Sequence, residues 1–448
     1  MASSAETSPA QTGSDDIQLG FVRIPGSSSF EVTLPSGEKV KVTRNRERTV
    51  PGLGGLGPST AALYELAIDE LGATALAGTV VDLGAGCGMG SRVLQLVAGK
   101  VIAIERDAIA AKFAALFAPK ARVIEAQLET VTLDEKASGA VMIDVLAFVE
   151  TPLATLRAAR RMMGKGARIV VIEPLAYPSQ VLVPPARRAL SAVQLGALLE
   201  AAGFTLVRCA AEGGVVVATA DAVEDPYVER LTRGAEACAR GELKEALALF
   251  DSVAMSGPRT LSVQAALDAV DVLVAQGRGD DACARLLSVL RRFPEEPRPL
   301  AALSQFMVAA GEPAEAKLLA EKASRLSPLD PAVIAALAIA FDVSRTDEAA
   351  ATWRRAFNLS PDALEIAIPA ATSALEHSYP LLAERIMIRC MEYAGNARPE
   401  AFFLRSRVRL ALGRIEDAKL DARLALAGDP ESEELRAMVA SLEASSAA

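Results

Sequence analysis

The spacing of hydrophobic residues changes character about halfway along the chain. Up to residue 220, short apolar runs rich in β-branched residues alternate with helical stripes; beyond about residue 225 the strand signals stop and a helical period takes over. In FEVTLPSGEKVKV, Phe30, Val32 and Leu34 share one face, Pro35-Ser36-Gly37 turns the chain, and Val40 and Val42 resume the alternation, which predicts a hairpin within 17–50. Leu63, Leu66, Ala67 and Leu71 form the apolar stripe of a helix that Ser59 or Thr60 can cap. Val80 and Val81 then end a strand, a helix follows over 91–97, and VIAIERD (101–107) is a second strand. A helix over 108–117, a short strand in ARVIEAQL and a strand with its exit in AVMIDVLAFV (140–149) come next. A basic helix (153–163), a turn at Gly164-Lys165-Gly166 and a strand in ARIVVIEP follow. A helix ended by Gly203 and the strands FTLVRC and VVVATA complete the alternation.

In the second half the pattern repeats itself. A small residue followed five positions later by alanine recurs at Gly241/Ala246, Gly277/Ala282, Gly311/Ala316, Ser344/Ala349, Ser378/Ala383 and Gly413/Ala418, in steps of 36, 34, 33, 34 and 35 residues. Unit ends carry Gly257-Pro258, Phe293-Pro294, Ser327-Pro328, Ser360-Pro361, Gly395-Asn396 and Asp429-Pro430. Six helix pairs with a capping helix over 431–443 follow from this period, the small residues being read as points of close helix approach.

The stretch VVDLGAGCGMG (80–90) is a glycine turn between strand and helix, half of a Rossmann-type unit, and Glu105 stands nineteen residues after Gly86 at the end of the next strand. The dinucleotide fingerprint needs glycine at 89, where this chain has Met89. The loop instead resembles the D-x-G-x-G-x-G loop of class I S-adenosylmethionine-dependent methyltransferases. That resemblance implies Asp82, Gly84, Gly86 and Gly88 as the lining for the methionine half of S-adenosyl-L-methionine and Glu105 as the ribose ligand. It also implies that Gln127 stands where an acidic residue usually meets the adenine amino group, with Leu128 offering its backbone amide. The 140–149 segment resembles the family's fourth strand, except that Gly139 replaces a frequent Asp and Ala147 a frequent His. With the fifth strand and the closing pair, the resemblance spans about 50–220 and implies a seven-stranded sheet whose last strand is antiparallel. The repeats resemble tetratricopeptide (TPR) repeats. The expected fold is thus an α/β Rossmann-like methyltransferase domain (51–220) followed by an all-α TPR-like superhelix (225–448). A tail over 1–16, small, polar and acidic, reads as disordered.

Charge and cysteine usage narrow the function. The net charge of −9 lies wholly in residues 221–448, which hold 26 Lys+Arg against 35 Asp+Glu, while residues 1–220 hold 21 of each. An acidic repeat half argues against a broad nucleic-acid surface there, and no N-P-P-Y or D-P-P-Y follows the fourth strand, as nucleobase or glutamine methylation would require. The five cysteines are scattered with no C-x-x-C pair, and the lone His377 is far from the glycine loop, so metal and histidine-assisted chemistry are not indicated. No apolar run of about twenty residues occurs; with unpaired cysteines this favours a cytoplasmic location.

Methyl transfer from a sulfonium is an in-line displacement, in which the protein positions the acceptor and, where needed, removes its proton. Asp144 and Glu173, at the carboxyl ends of the fourth and fifth strands, are the catalytic candidates, with Glu150 a further base and Tyr177 an orienting hydroxyl. Asp144 also reads as a cap on the next turn, and Glu173 as a helix N-cap or salt-bridge partner. The acceptor itself is not legible, protein and small molecule being favoured over nucleic acid. The expected partner is a protein held by the repeats; the alternative is a degenerate methyltransferase-fold scaffold acting through them.

Overall fold

The computed structural model describes residues 20–23, 29–33, 39–43 and 60–444, excepting 178–179, 183, 224, 345–347 and 394. Strands β1 (Gly20–Arg23), β2 (Ser29–Thr33) and β3 (Lys39–Thr43) form an antiparallel sheet in that order. The expected hairpin is β2–β3, with Phe30 opposite Val42 and Val32 opposite Val40, and β1 adds a strand that the alternation did not reveal. The tail 1–16, the Pro35-Ser36-Gly37 turn and the glycine-rich loop 51–58 lie outside the described residues.

Seven strands make the main sheet: β4 (Thr79–Leu83), β5 (Lys100–Glu105), β6 (Arg122–Glu125), β7 (Ala137–Ile143), β8 (Met163–Pro174), β9 (Phe204–Glu212) and β10 (Val215–Ala222). Their order is β6-β5-β4-β7-β8-β10-β9, parallel except for β10, which runs antiparallel to both β8 and β9. The chain winds outward from β4 to β6 and returns on the other side of β4, so the crevice beyond β4 and β7 is the topological switch point, the place where open α/β sheets generally take ligands. Consecutive residues serve opposite faces. Val80, Val101, Val141 and Val170 pack with Tyr64, Ala67 and Leu71 of α1 (Thr60–Leu76) and Leu94 of α2 (Met89–Leu94). Val81, Ile102, Met142 and Ile169 pack with Leu156 of α4 (Pro152–Met162) and Leu195 of α5 (Ala192–Ala201). Burial on both faces is why these strands read as continuous apolar runs. Between β5 and β6 lies α3 (Ala108–Phe117), capped by the Asp107 side chain.

Two local expectations are corrected. The strand at 140–149 begins earlier and stops at Ile143, because Asp144 takes a left-handed φ of 55° that leaves the extended region. The turn at 164–166 is absorbed into β8 as an irregularity: Ala137 pairs with Met163 but Gly139 with Arg168, the surplus residues bulging around Gly166. Gly139 also has a reason. A methyl group there would stand 3.2 Å from Leu71 and Ala75, so glycine lets α1 lie close on β7.

Beyond β10, the described residues form thirteen helices, from α6 (Pro226–Ala239) to α18 (Glu433–Ala444). Successive helices pack on one another as the period implies, with α18 last and burying Leu435 and Leu442. The recurrent alanines are buried, all of Ala246, Ala282, Ala316, Ala349, Ala383 and Ala418 being 0 % exposed. The recurrent glycines serve a different purpose from the one expected. Nothing stands within 4 Å of where a side chain would start at Gly241, Gly277, Gly311 or Gly413; what these turns require is positive φ, which Ser378 also adopts at 65°.

The two halves meet along a seam. Gln194 of α5 donates to the carbonyl of Leu329 (3.0 Å), Thr260 of α8 (Arg259–Ala275) donates to Glu200, and Tyr393 donates to the carbonyl of Ala186 (2.8 Å). Ala176, Leu182 and Ala189 close an apolar patch against Leu329.

Candidate active site

At the end of β4 the chain passes through three left-handed glycines, Gly84 (φ 75°), Gly86 (55°) and Gly88 (83°), before α2 begins. They do different work. A methyl group on Gly84 would stand 2.6 Å from Val145, and one on Gly88 would stand 2.5 Å from Cα of Ala114, so both are packed against other parts of the fold. At Gly86 nothing lies within 4 Å of that position. The backbone there faces open space, which a ligand can approach closely.

Glu105 ties this loop to the next strand. Its carboxylate accepts the Gly86 N–H at 2.8 Å and the Asp107 N–H at 2.8 Å, while the Gly84 and Ala85 amides donate to the carbonyl of Ile104. Glu105 stays half-buried, its carboxylate placed between the loop and the end of β5. Farther along the edge, Gln127 is exposed and Leu128 buried, and the carbonyl of Gln127 accepts the Thr130 N–H and hydroxyl.

Asp82 sits underneath. It is wholly buried, one oxygen accepting the Tyr64 hydroxyl at 2.7 Å and the other the Ser91 hydroxyl at 2.5 Å. Burial pushes its carboxyl up to about 6, the two hydroxyl donors opposing this and Glu105 adding to it. The same burial raises the Tyr64 hydroxyl well above its ordinary range, with Asp82 contributing. Asp82 thus pins the first turn of α2 and the face of α1 to the loop. Neither Tyr64 nor Ser91 carried a signal in the sequence, being a helical aromatic and a small polar residue after a glycine.

Asp144 and Glu173 come together at the carboxyl ends of β7 and β8. Glu173, 1 % exposed, accepts the backbone N–H groups of Val145 (2.9 Å), Leu146 (2.7 Å) and Ala147 (3.1 Å), so both its oxygens shape the turn that leaves β7. Burial pushes its carboxyl up to about 8, Asp144 adding to the rise and the three amides opposing it. Asp144 is partly exposed, and its Oδ1 is buried with no hydrogen-bond partner. Burial raises it to about 6. Asp144 thus combines a left-handed backbone with an incompletely paired carboxylate at the carboxyl edge of the sheet. Glu150 and Tyr177 are exposed.

The raised carboxyl of Asp144 makes a signed prediction. A carboxyl bound more tightly to its proton in the folded state contributes stability below its ordinary value near 3.8, and this is lost as pH rises through about 6. Asn tolerates the left-handed region well. The Asp144→Asn variant is therefore expected to be more stable than the parent at pH 7 by about 1–3 kcal/mol, from roughly two units at 1.36 kcal/mol each. The difference should close below pH 4, as read by urea unfolding across pH; equal stability at pH 7 would show that Asp144 finds a partner in solution.

Among the described residues no group of three or more His, Cys, Asp or Glu is placed to hold a metal ion, and no helix is long and apolar enough to cross a membrane. A groove of about 550 Å³ opens at the opposite edge of the sheet, between Leu71–Ala75, Lys136 and Gly164–Arg168, away from all the candidate residues.

Residues 60–208 match a family model described as a methyltransferase domain. The chain is similar to a SAM-dependent methyltransferase from Aquifex aeolicus at 22 % identity, covering 39 % of this chain and 94 % of that one, with a TM-score of 0.32. It is similar to a thermophilic TPR protein from Thermus thermophilus at 19 % identity, covering 40 % of this chain and 97 % of that one, with a TM-score of 0.34. A further likeness is to the DhpI–SAH complex, at 19 % identity, 37 % and 86 % coverage and a TM-score of 0.33. No curated protein matches the sequence.

Proposed function

We propose that the chain is an S-adenosylmethionine-dependent methyltransferase, built as a hairpin extension (17–50), a methyltransferase domain (51–220) and a TPR-like array (225–448) that recruits an acceptor or the protein bearing it. The observation that carries this reading is the glycine loop at the switch point: open at Gly86, hydrogen-bonded to Glu105 and followed by an exposed Gln127. The residues fit the cofactor. Gly84, Gly86 and Gly88 give backbone for its methionine half, Glu105 stands at the end of β5 for the ribose hydroxyls, and Gln127 with the amide of Leu128 flanks the adenine position. Bound there, the cofactor supplies an electrophilic methyl group on a sulfonium.

The chain's own residues then divide their labour. Asp82 and Glu173 have their oxygens engaged within the fold and act as braces, beneath the loop and behind the β7 exit. Asp144 has an oxygen without a partner, and is the residue to orient an acceptor or take its proton. The reading puts the protein in a reducing compartment such as the cytoplasm, where its five free cysteines remain thiols. The competing reading, a scaffold that has kept the fold without turnover, draws on Gln127, Gly139 and Ala147 in place of the family's acidic residue, Asp and His.

Calorimetric titration with S-adenosylmethionine separates the two. The parent is expected to bind at about micromolar Kd. Gly86→Arg starts a side chain where a Cβ meets nothing within 4 Å, at a backbone cost set by the φ of 55°, and should abolish binding; Glu105→Ala, by removing the ribose acceptor and freeing the Gly86 amide, should weaken it at least about tenfold. A parent that binds nothing would sink the enzyme reading and leave the scaffold.

A further inference from the structure

The turn behind the candidate site is held from outside its own domain. Glu173 fixes residues 145–147 from below. From the other side, residues 184–190 cross it as a strap: the Arg187 N–H donates to the carbonyl of Ala147 at 2.7 Å. The Arg188 guanidinium spans the carbonyls of Leu146 (3.3 Å), Val149 and Glu150 (3.0 Å). The strap is in turn gripped by the repeats. Asp362, in the turn between α13 (Ala349–Leu359) and α14 (Leu364–Glu376), pairs with Arg187 at 2.9 Å and Arg188 at 3.5 Å, its side chain 8 % exposed. Tyr393, in the turn before α16 (Pro399–Ala411), donates to the carbonyl of Ala186 and lies beneath the Arg187 guanidinium, 5.7 Å from the ring centre. Burial pulls Arg188 down from its ordinary range and Asp362 is the foremost group opposing that, so Asp362 is what keeps this buried cation in place.

We propose that Asp362 is a positioning residue for the methyl-transfer site, acting through Arg187 and Arg188 on residues 145–150. This rests on the reading of the β7 exit as part of that site. The array then does more than recruit: one of its inter-repeat turns completes the wall beside Asp144. Because Val145 packs against Gly84, slack in the wall reaches the glycine loop as well.

Amide hydrogen exchange on the full-length chain, read by mass spectrometry with and without S-adenosylhomocysteine, tests the idea on Asp362→Asn, Asp362→Glu, Arg188→Lys and Tyr393→Phe. Asp362→Asn and Arg188→Lys are expected to speed exchange at 145–150 about tenfold or more, with α8 and α18 unchanged, and to weaken S-adenosylhomocysteine binding several-fold; Asp362→Glu should restore part of both. Unchanged exchange at 145–150 overturns the proposal. Should Asp362→Asn loosen the whole chain, Tyr393→Phe decides, since it deletes one hydroxyl. Faster exchange at 184–190 and 145–150 supports the coupling, and faster exchange at 184–190 alone overturns it. Absence of cofactor binding in the parent would be a failure of the functional reading, seen separately from the exchange result.

Discussion

Replacing Glu173 by alanine is expected to cost about 3–5 kcal/mol, because three buried N–H groups lose their only side-chain acceptor at about 1–3 kcal/mol each, partly offset by removing a buried carboxyl. Glu173→Gln should recover roughly half. Its single oxygen can keep the Val145 and Leu146 bonds that one carboxyl oxygen now makes, but where the acid, mostly neutral at pH 7 with its value near 8, has a second oxygen to accept the Ala147 N–H, the amide would present NH2. Urea unfolding at pH 7 reads both. A general base would give the opposite signature, a Gln variant of parental stability that binds cofactor and does not turn over. That outcome would return Glu173 to the catalytic group and remove it from the braces.

The second large effect is at Gly90. A methyl group there would stand 1.8 Å from Cζ of Tyr64 and 2.2 Å from its two neighbouring ring carbons, so the ring must leave. Gly90→Ala then loses the Tyr64–Asp82 hydrogen bond and leaves a buried carboxyl with Ser91 as its remaining donor. A loss of more than about 3 kcal/mol is expected, combining overpacking with an underpaired buried group. In a Tyr64→Ala background, itself costly, the same change at Gly90 should cost under about 1 kcal/mol, a coupling of about 2–3 kcal/mol in the double-mutant cycle. Additive losses would mean that the ring and the helix do not compete for this space.

These two sites mark what the chain discloses in one dimension and what it does not. The glycine loop, Glu105 at the next strand end, the seven-strand succession and the alanine-marked period are local patterns, and each was readable because strand, turn and helix impose their own spacing. The bonds that Asp82 and Glu173 make within the fold were not. Whether a carboxylate lines a site or braces it depends on partners such as Tyr64, eighteen residues away, or Val145, twenty-eight residues away, and no periodicity connects them. The recurrent glycines show the same limit in another form. Their spacing was evident, yet smallness and left-handed freedom look alike in a sequence, and backbone angles were needed to tell them apart. Arg187 and Asp362, 175 residues apart, could be joined only by the packed structure.

The seam has a bearing on how this chain can vary over evolutionary time. A solenoid ordinarily gains and loses repeats freely, since each unit contacts only its neighbours. Here the α/β domain touches the array at Thr260 near the start of α8 and at Leu329, Asp362 and Tyr393, the last three in successive inter-repeat turns. Excising or duplicating one unit between them would carry the remaining turns out of reach of the strap, whatever it did to the stability of the array itself. Repeat number in this stretch is therefore fixed by the domain it clasps, and drift in copy number should be confined to the far end, beyond Tyr393.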